Sequence, residues 1–299
     1  MNHLLSIESL KTPEILEILE LSRKMKTERG RHEKLPLQDQ VWALIFSKSS
    51  TRTRLSFETG IRELGGDAIF LASADIQLGR GEPIKDTARV MGRMIHGAII
   101  RTFAQQDVED FAEYSGIPTI NALTDEEHPC QILADLFTIV EKRGSLEGLK
   151  VAFVGDGDCN VSRSWIWAAK KLGFELRIAA PVPYQPNEEF LQRAGGDQIK
   201  IFEGWTEAVQ GVDVVYTDVW VSMGKEEESA FRLAQLRAYQ VNEELLAAAG
   251  SNPLVMHCLP AYRGKEISEA VFEANADTIF DQAENRLHAQ KAVLWKLLG

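Results

Sequence analysis

Short apolar runs alternate with amphipathic, helix-like segments along nearly the whole chain of 299 residues. The run Val41–Phe46 is entirely apolar and has the length of a buried strand. The segment that follows it places Leu55, Ile61 and Leu64 on one helical face. A repeated order of strand and helix predicts parallel sheets, because each helix carries the chain back to the same end of the sheet. The sequence therefore predicts an α/β protein.

The alternation forms two series, separated by the glycine-containing segment 144–148. We expect a first domain over residues 1–144 and a second over 145–280, each built on a parallel sheet, followed by a long helix from Asp281. The predicted strands are Val41–Phe46, Ala68–Leu71, Ala98–Phe103, Pro118–Leu123, Val151–Val154, Leu176–Ala180, Val212–Thr217, Leu254–His257 and Thr278–Phe280.

Composition and charge exclude several classes of partner. The formal charge of −11 argues against binding to nucleic acid or to an anionic membrane surface. No apolar run approaches the ~18 residues of a membrane span, and no secretory leader is recognisable. The three cysteines, Cys130, Cys159 and Cys258, are widely spaced and odd in number, which argues against a disulfide framework. We therefore expect a cytoplasmic protein that acts on small molecules.

The polar segment Ser49–Arg54 lies at the turn between the first strand and the helix after it. Free backbone N–H groups and the helix dipole favour an anion at such a turn. Hydroxyl groups and two guanidinium groups add donors in the geometry that suits phosphate. A capped helix start with a solvated basic turn is the alternative for this segment taken alone.

Further polar side chains follow other predicted strands of the first half. Arg101 lies at the end of one strand, and His128 and Gln131 begin the helix that follows another. Ligands of parallel α/β sheets collect at the carboxyl ends of the strands, so these residues favour one site. The chain has no recognisable nucleophile–base set, metal-binding cluster or nucleotide-binding Walker motif. The chemistry implied is transfer from an activated phosphorylated compound, by positioning and electrostatic stabilisation.

The second half offers a different set of polar groups. Asn160, Asp218 and Ser222 suit the ammonium and carboxylate groups of an amino acid. The segment Gly155–Asn160 follows a strand, as a dinucleotide-binding loop would, but asparagine stands where the third glycine is needed. A polar loop that receives a small substrate therefore fits better than a loop that binds NAD.

Four motifs and the final helix resemble those of the ornithine carbamoyltransferases, in the aspartate/ornithine carbamoyltransferase family. The segments Ser50–Thr53 and His128–Gln131 are similar to motifs that ornithine and aspartate carbamoyltransferases share. The segments Asp218–Gly224 and His257–Pro260 are similar to the ornithine branch, and Phe280–His288 resembles the family's last motif. The likeness extends from the first helix to the last.

The resemblance implies a role for each matching position. Ser50, Thr51, Arg52 and Thr53 would hold the phosphate of carbamoyl phosphate. Its carbamoyl end would be bound by Arg101, His128 and Gln131, with the pocket completed by Arg286, Cys258 and Leu259. The residues that would receive L-ornithine are Asn160, Asp218, Ser222 and Met223. Of these sets, Arg52, Thr53, Arg101, His128 and Cys258 would take part in catalysis.

The resemblance also carries expectations about assembly and fold. Gln77 would reach the site of a neighbouring subunit in a homotrimer, or a multiple of trimers, with shared active sites. The C-terminal helix, residues 281–299, would return to the first domain. The product would be L-citrulline, formed in arginine biosynthesis or breakdown, and neither a metal nor another cofactor is expected.

Three alternatives stay open at this point. The family commonly has two adjacent asparagines after Gly-Asp-Gly, where this chain has Asp158, Cys159 and Asn160, so the register of the ornithine ligand is open by one residue. Carbamoyltransferases for acetylornithine, succinylornithine or putrescine resemble this fold. They should lack the residues that would recognise the free amine of ornithine, which here are Asp218, Ser222 and Met223. A catalytically silent paralogue would be expected to have lost an arginine or histidine of the phosphate pocket, and this chain retains them.

Overall fold

The computed structural model describes residues 1–72, 81–221, 229–250 and 252–298. These residues form two compact units. Unit 1 consists of Met1–Phe137 together with Glu284–Gly299, and unit 2 consists of Thr138–Ala283. Each unit contains one sheet in which all described strand pairs are parallel. The predicted α/β class, with two parallel-sheet domains, is confirmed.

The sheet of unit 1 has four strands in the order β2-β1-β3-β4. The strands are β1 (Val41–Phe46), β2 (Asp67–Ala72), β3 (Gly97–Arg101) and β4 (Thr119–Leu123). The helices that begin in this part of the chain are α1 (Thr12–Thr27), α2 (Thr51–Glu63), α3 (Ile84–Met91), α4 (Gln105–Ser115) and α5 (Pro129–Arg143).

Strand β1 lies between β2 and β3, and its side chains are accordingly apolar and nearly all buried. Its register with β3 pairs Trp42 with Gly97, and a Cβ atom at Gly97 would lie 2.4 Å from the Trp42 ring. Only glycine leaves room for the indole at this position. The same register pairs Phe46 with Arg101, so both strands end at one level of the sheet.

The sheet of unit 2 has five strands in the order β7-β6-β5-β8-β9. The strands are β5 (Lys150–Val154), β6 (Glu175–Ala179), β7 (Ile199–Phe202), β8 (Val214–Thr217) and β9 (Leu254–His257). The helices that begin among them or after them are α6 (Asn160–Leu172), α7 (Glu188–Ala194), α8 (Trp205–Ala208), α9 (Ser229–Leu236), α10 (Glu243–Ala249), α11 (Glu269–Ala274) and α12 (Ala276–Leu297).

Each sheet has a point where the strand order reverses direction, between β1 and β3 in unit 1 and between β5 and β8 in unit 2. Connections leave to opposite sides at such a point, which opens a crevice at the carboxyl ends of the two strands. The segments that begin there are Ser47–Ser50 and Thr102 in unit 1, and Gly155–Cys159 and Asp218 in unit 2. The topology therefore marks one candidate ligand position in each unit.

The last helix corrects one expectation from the sequence. The predicted strand Thr278–Phe280 is wrong, because α12 already begins at Ala276. The β-branched and aromatic residues there favour a strand locally. The helix instead buries Ile279 in the core of unit 2, and the Ile279 N–H donates to the Asn275 carbonyl at 3.1 Å. Strand β7 and helix α8 were not predicted.

From Glu284 onward, α12 belongs to unit 1, so the predicted return of the C-terminal helix to the first domain is confirmed. Lys26 of α1 donates to Asn285 at 2.9 Å, and Lys291 donates to Glu63 of α2 at 2.5 Å. In the part of the chain that the structure describes, no helix is both long and apolar enough to span a membrane.

Candidate functional site

The turn after β1 is built as a helix start. Ser50 is the N-cap of α2, with extended backbone, and its Oγ accepts from the Thr53 N–H at 3.3 Å. Such a cap satisfies one of the first N–H groups of the helix, and the helix dipole leaves a positive potential at this end. Thr51 and Arg52 are exposed, whereas Thr53 is buried. The predicted phosphate residues therefore face both solvent and protein interior.

The buried side of this turn contacts α5 and α12. The Arg286 guanidinium donates through Nη2 to Thr53 Oγ1 at 3.1 Å and through Nη1 to Gln131 Oε1 at 2.7 Å. Gln131 in turn donates through Nε2 to Asp135 Oδ1 at 2.8 Å. Arg286 is only 5% exposed, and Thr53 and Gln131 are 1% exposed. Three predicted site residues from distant parts of the sequence thus form one buried network.

Arg101 and His128 lie near this network. Arg101 ends β3 and His128 precedes α5, and both are buried. Burial, and then the positive charges of Arg286 and Arg101, hold the pKa of His128 well below 6.5. The imidazole is therefore neutral at neutral pH, so it can donate one hydrogen bond without adding a charge. The two arginines supply the positive potential.

A cavity of about 650 Å³ opens beside the same turn, on its more exposed side. Its lining includes Lys48, Ser50, Thr51 and Arg54. Arg54 lies over the Phe70 ring at 3.8 Å from the centroid and donates to Glu58 at 2.8 Å. The lining includes neither Thr53 nor Arg286. The N-terminal end of α2 therefore presents donors to an open cavity and to a buried network at once.

In unit 2, Asp218 directly follows β8 and contacts the cysteine that follows β9. The Cys258 thiol donates to Asp218 Oδ1 at 2.9 Å, and the Val219 N–H donates to the same oxygen at 2.7 Å. Burial raises the pKa of Asp218, and the hydrogen bonds from the Cys258 thiol and the Val219 N–H oppose that rise. The structure thus brings together two of the residues predicted from separate motifs.

The turn after β9 is held by a buried histidine and glutamate. His257 Nδ1 accepts from the Leu259 N–H at 2.9 Å, so the proton of the neutral ring lies on Nε2, which is 3.2 Å from Glu266 Oε1. The Tyr262 N–H donates to the same glutamate oxygen at 2.5 Å. Leu259 has a φ of +57°, a conformation that non-glycine residues rarely adopt. Through its bond to His257, the Leu259 N–H is therefore engaged within the turn.

Asp218, His257 and Cys258 also form a possible set of metal ligands, with donor atoms within 4.8 Å of one another. Thiolate, imidazole and carboxylate are the ligands of zinc. Both His257 nitrogens, however, are engaged with Leu259 and Glu266. A metal would have to displace hydrogen bonds that the turn already uses, so the geometry fits a hydrogen-bonded cluster better than a metal centre.

The loop after β5 contributes Asn160, the first residue of α6, which is partly buried. The preceding residue, Cys159, is the N-cap of α6, and its Sγ accepts from the Ser162 N–H at 3.5 Å. Burial, and then the charges of Asp218 and Asp156, raise the pKa of Cys159 well above 9.0. Cys159 is therefore a neutral thiol with a capping role, which leaves Asn160 as the candidate ligand of this loop.

The remaining predicted residues, Gln77, Ser222 and Met223, lie outside the described residues. The described side chains that contact the networks above and were not singled out from the sequence include Asp135, Glu266, and Gln290 on α12. Gln290 is four residues after Arg286, a spacing that places both on one helical face. That spacing was a usable signal once Arg286 was proposed as a ligand.

Comparisons with known proteins agree along the whole chain. Residues 2–141 match the family model described as aspartate/ornithine carbamoyltransferase, carbamoyl-P binding domain, and residues 147–297 match the one described as Asp/Orn binding domain. A protein of Akkermansia muciniphila named ornithine carbamoyltransferase is 62% identical, with 98% of this chain and 97% of that protein covered. One of Pseudomonas aeruginosa named ornithine carbamoyltransferase, anabolic, is 49% identical, with 100% and 97% covered.

A solved structure gives the same result for the fold. The crystal structure of anabolic ornithine carbamoyltransferase from Campylobacter jejuni is similar to this chain with a TM-score of 0.92. The sequence identity is 43%, and the alignment covers 99% of each chain.

Proposed function

The chain belongs to the aspartate/ornithine carbamoyltransferase family, and we propose that it transfers the carbamoyl group of carbamoyl phosphate to the δ-amine of L-ornithine. The products are L-citrulline and phosphate. The observation that carries this proposal is the buried Arg286 network of unit 1, in which the guanidinium donates to the neutral oxygens of Thr53 and Gln131 near the neutral imidazole of His128. A dianionic acyl phosphate is the kind of ligand that such a positive, donor-rich site stabilises.

Carbamoyl phosphate is assigned to the strand ends of unit 1. Ser50, Thr51, Arg52 and Thr53 would donate to its phosphate, because the N-terminus of α2 combines free N–H groups with a favourable dipole. The further donors to the ligand would be Arg101, His128, Gln131 and Arg286. The Cys258 and Leu259 backbone would accept from the carbamoyl amide, and the Leu259–His257 hydrogen bond would help to hold that turn in place.

The reaction forms a bond between the neutral ornithine δ-nitrogen and the carbamoyl carbon and breaks the bond from that carbon to the phosphate oxygen. One proton of the attacking amine passes to the leaving phosphate, which departs as hydrogen phosphate. Negative charge builds on the carbamoyl oxygen during the attack. Arg101, His128 and Thr53 are proposed to stabilise it, and Arg52 and Arg286 to receive the leaving phosphate. The protein's contribution is positioning and electrostatics, since no covalent intermediate is needed.

L-Ornithine is assigned to unit 2, with Asn160, Asp218, Ser222 and Met223 as its ligands. Its δ-ammonium has a pKa near that of lysine, about 10.4, and must lose a proton before it can attack. Asp218 can pair with the α-ammonium group, which acetylornithine lacks. A site built around that pairing discriminates against analogues without it.

We also propose a cytoplasmic homotrimer, or a multiple of trimers. The cytoplasm is supported by three free cysteines, two of them buried. Shared active sites rest on the resemblance alone, because Gln77, the residue expected to reach the neighbouring subunit, lies outside the described residues.

The direct test measures citrulline formed from carbamoyl phosphate with L-ornithine, acetylornithine, putrescine and aspartate in parallel. We expect turnover with ornithine and at least a hundredfold lower kcat/KM with the others, as for sites that read a polar group of the substrate. Comparable turnover of acetylornithine or putrescine would replace the proposed substrate, and no turnover with any amine would favour a silent paralogue.

Site sharing is tested by subunit exchange between two impaired variants, Arg101→Ala and Gln77→Ala. If Gln77 acts across a cyclic interface, a mixed trimer contains sites in which neither change is present. Random exchange in an equal mixture makes roughly a quarter of the sites intact. Recovery of activity toward that fraction is expected. No recovery, with exchange verified by native mass spectrometry, would restrict Gln77 to its own subunit.

A further inference from the structure

Helix α2 and the part of α12 after Glu284 share a stripe of polar contacts within unit 1. Thr53 and Ser56 lie on this face of α2, followed by Gly60 and Glu63. A Cβ atom at Gly60 would lie 3.1 Å from Lys291 Cγ, so the two helices approach closely there. The face of α12 opposite them carries Arg286, Leu287, Gln290 and Lys291.

Gln290 closes a ring of hydrogen bonds in this stripe. With its amide oriented so that both of its groups are satisfied, its oxygen accepts from Arg286 Nη2 at 3.1 Å and Nε at 3.2 Å, and its nitrogen donates to Ser56 Oγ at 2.6 Å. Ser56 Oγ donates to the Thr53 carbonyl at 3.2 Å, and Thr53 Oγ1 accepts from Arg286. The ring therefore connects Gln290, Ser56, Thr53 and Arg286.

The geometry fixes the plane of the guanidinium group. Nε and Nη2 form one edge of the planar fork, and a single acceptor that bonds both of them prevents rotation about the last side-chain torsions. Gln290 is 1% exposed, so water cannot replace it. A buried donor that loses a partner keeps the penalty of its lost hydration, which is larger for a charged group, so Arg286 would reorient without this amide.

We propose that Gln290 is a positioning residue that holds the Arg286 guanidinium in the orientation that binds the phosphate of carbamoyl phosphate. The inference rests on the function proposed above and adds a residue to it. Gln290 orients the arginine through a neutral oxygen, so it leaves the positive charge available to an anion. A carboxylate in the same place would orient the arginine equally well but would cancel much of that charge.

The neighbouring residue offers a matched control. Lys291 Nζ donates to Glu63 Oε2 at 2.5 Å and lies 3.1 Å from His32 Nε2, and its side chain is fully buried. Burial lowers the pKa of Lys291, and the hydrogen bond and charge of Glu63 oppose that shift. Replacing Lys291 by methionine therefore disrupts a polar contact between the same two helices without removing a bond to Arg286.

The test compares wild type, Gln290→Met, Lys291→Met, Arg286→Met and the Arg286→Met/Gln290→Met double variant. Methionine approximates the volume of glutamine and favours helix. Calorimetry measures the affinity for inorganic phosphate, and steady-state kinetics measure both substrates. We expect Gln290→Met to lower phosphate affinity and kcat/KM for carbamoyl phosphate by on the order of 10- to 100-fold. The KM for ornithine, at saturating carbamoyl phosphate, should change less than about twofold, because Gln290 is not among the residues proposed to bind ornithine.

The double variant separates positioning from direct action. If Gln290 acts through Arg286, adding Gln290→Met to Arg286→Met should cause no further loss of phosphate affinity. Additive losses, or equal losses in Gln290→Met and Lys291→Met, would overturn the inference. If Gln290→Met does not fold, Ser56→Ala opens the ring from its other side, and unchanged phosphate affinity there would also overturn it.

A failure of the proposed function gives a different result. If wild type forms no citrulline, that function falls, and crystal structures of wild type and Gln290→Met still test the positioning role. A guanidinium that keeps its contacts with Thr53 and Gln131 in the variant would overturn the inference, whereas a reoriented one would support it.

Discussion

Each unit contains a buried arginine near the carboxyl ends of its strands, and the two are held differently. In unit 2, Arg232 pairs with the Asp156 carboxylate, and its Nε donates to the Trp220 carbonyl at 2.7 Å. Its guanidinium also lies 4.7 Å from the centroid of the Tyr184 ring. In unit 1, Arg286 donates to the neutral oxygens of Thr53, Gln131 and Gln290.

The contrast indicates two uses of the same side chain. The Asp156 carboxylate neutralises the guanidinium of Arg232. Because Asp156 lies after β5 and Trp220 after β8, Arg232 connects these two loops. Hydrogen bonds to neutral oxygens orient the Arg286 guanidinium without neutralising it, and its charge adds to burial, the larger cause, in lowering the pKa of His128. We therefore expect loss of Arg232 to reduce stability, and loss of the unit 1 arginines to reduce catalysis.

The largest expected effect is on the folding of unit 2. Arg232→Met leaves the Asp156 carboxylate buried without its cation, which should lower the free energy of unfolding by about 3–5 kcal/mol. Urea denaturation at one protein concentration measures it. Adding Asp156→Leu should restore much of the loss, because removing both charges avoids an isolated buried ion. If the double variant is no more stable than Arg232→Met, the ion pair is not what Arg232 contributes.

Arg101→Ala should act on catalysis instead. Removing one donor to a developing oxyanion costs about 2.7–4 kcal/mol, which corresponds to roughly a 10²- to 10³-fold loss in kcat. The free energy of unfolding should fall by less than in Arg232→Met. Stopped-time citrulline assays and urea denaturation measure the two quantities. Near-normal kcat would remove Arg101 from the mechanism, and a stability loss as large as that of Arg232→Met would make its role structural.

Sequence reasoning predicted the parts of this comparison that depend on local patterns. The apolar run before Ser50 and the helical face after it predict the strand–helix turn, and the topology then places Arg101 at the matching strand end. The Gln290 ring could not be derived in this way, because it depends on which face α12 turns toward α2. The predicted strand Thr278–Phe280 failed for a related reason, since contacts distant in sequence outweighed local preference.

Asp218→Asn tests the acidic residue proposed to bind ornithine in unit 2, and it should affect ornithine use rather than phosphate binding. Losing a charged hydrogen bond to the ornithine ammonium costs about 1.5–3 kcal/mol in kcat/KM for ornithine. Affinity for inorganic phosphate should be unchanged. Because burial raises the pKa of Asp218, the unfolded chain releases this proton at lower pH, and stability falls as pH rises from 3.8 through the folded pKa. Asp218→Asn should therefore be at least as stable as wild type at neutral pH.

Calorimetry, thermal unfolding and ornithine kinetics measure these three quantities in one preparation of Asp218→Asn. Glu266→Gln is a suitable control, because it alters a buried carboxylate of the same unit that is not assigned to ornithine. Parallel loss of ornithine use and phosphate affinity in Asp218→Asn would indicate a folding defect rather than a ligand.

The smallest expected effect is a pH dependence of stability that follows from the low pKa of His128. The pKa of His128 in the folded protein lies well below 6.5, first through burial and then through Arg286 and Arg101. Below pH 6.5 the unfolded chain binds a proton that the folded protein does not, so stability is lost as pH falls from 6.5 toward the folded pKa. One such group contributes at most about 1.4 kcal/mol per pH unit.

Urea denaturation between pH 7.5 and 5.5 isolates this contribution when wild type is compared with His128→Asn, which should lose less stability on acidification. Arg286→Met should also weaken the dependence, because it removes one of the two charges that depress the His128 pKa while burial persists. An identical pH dependence in wild type and His128→Asn would mean that His128 is protonated as readily in the folded protein as in the unfolded chain. Neither burial nor the charge of Arg286 would then lower the pKa of His128, and the contrast between the two arginines would lose its support.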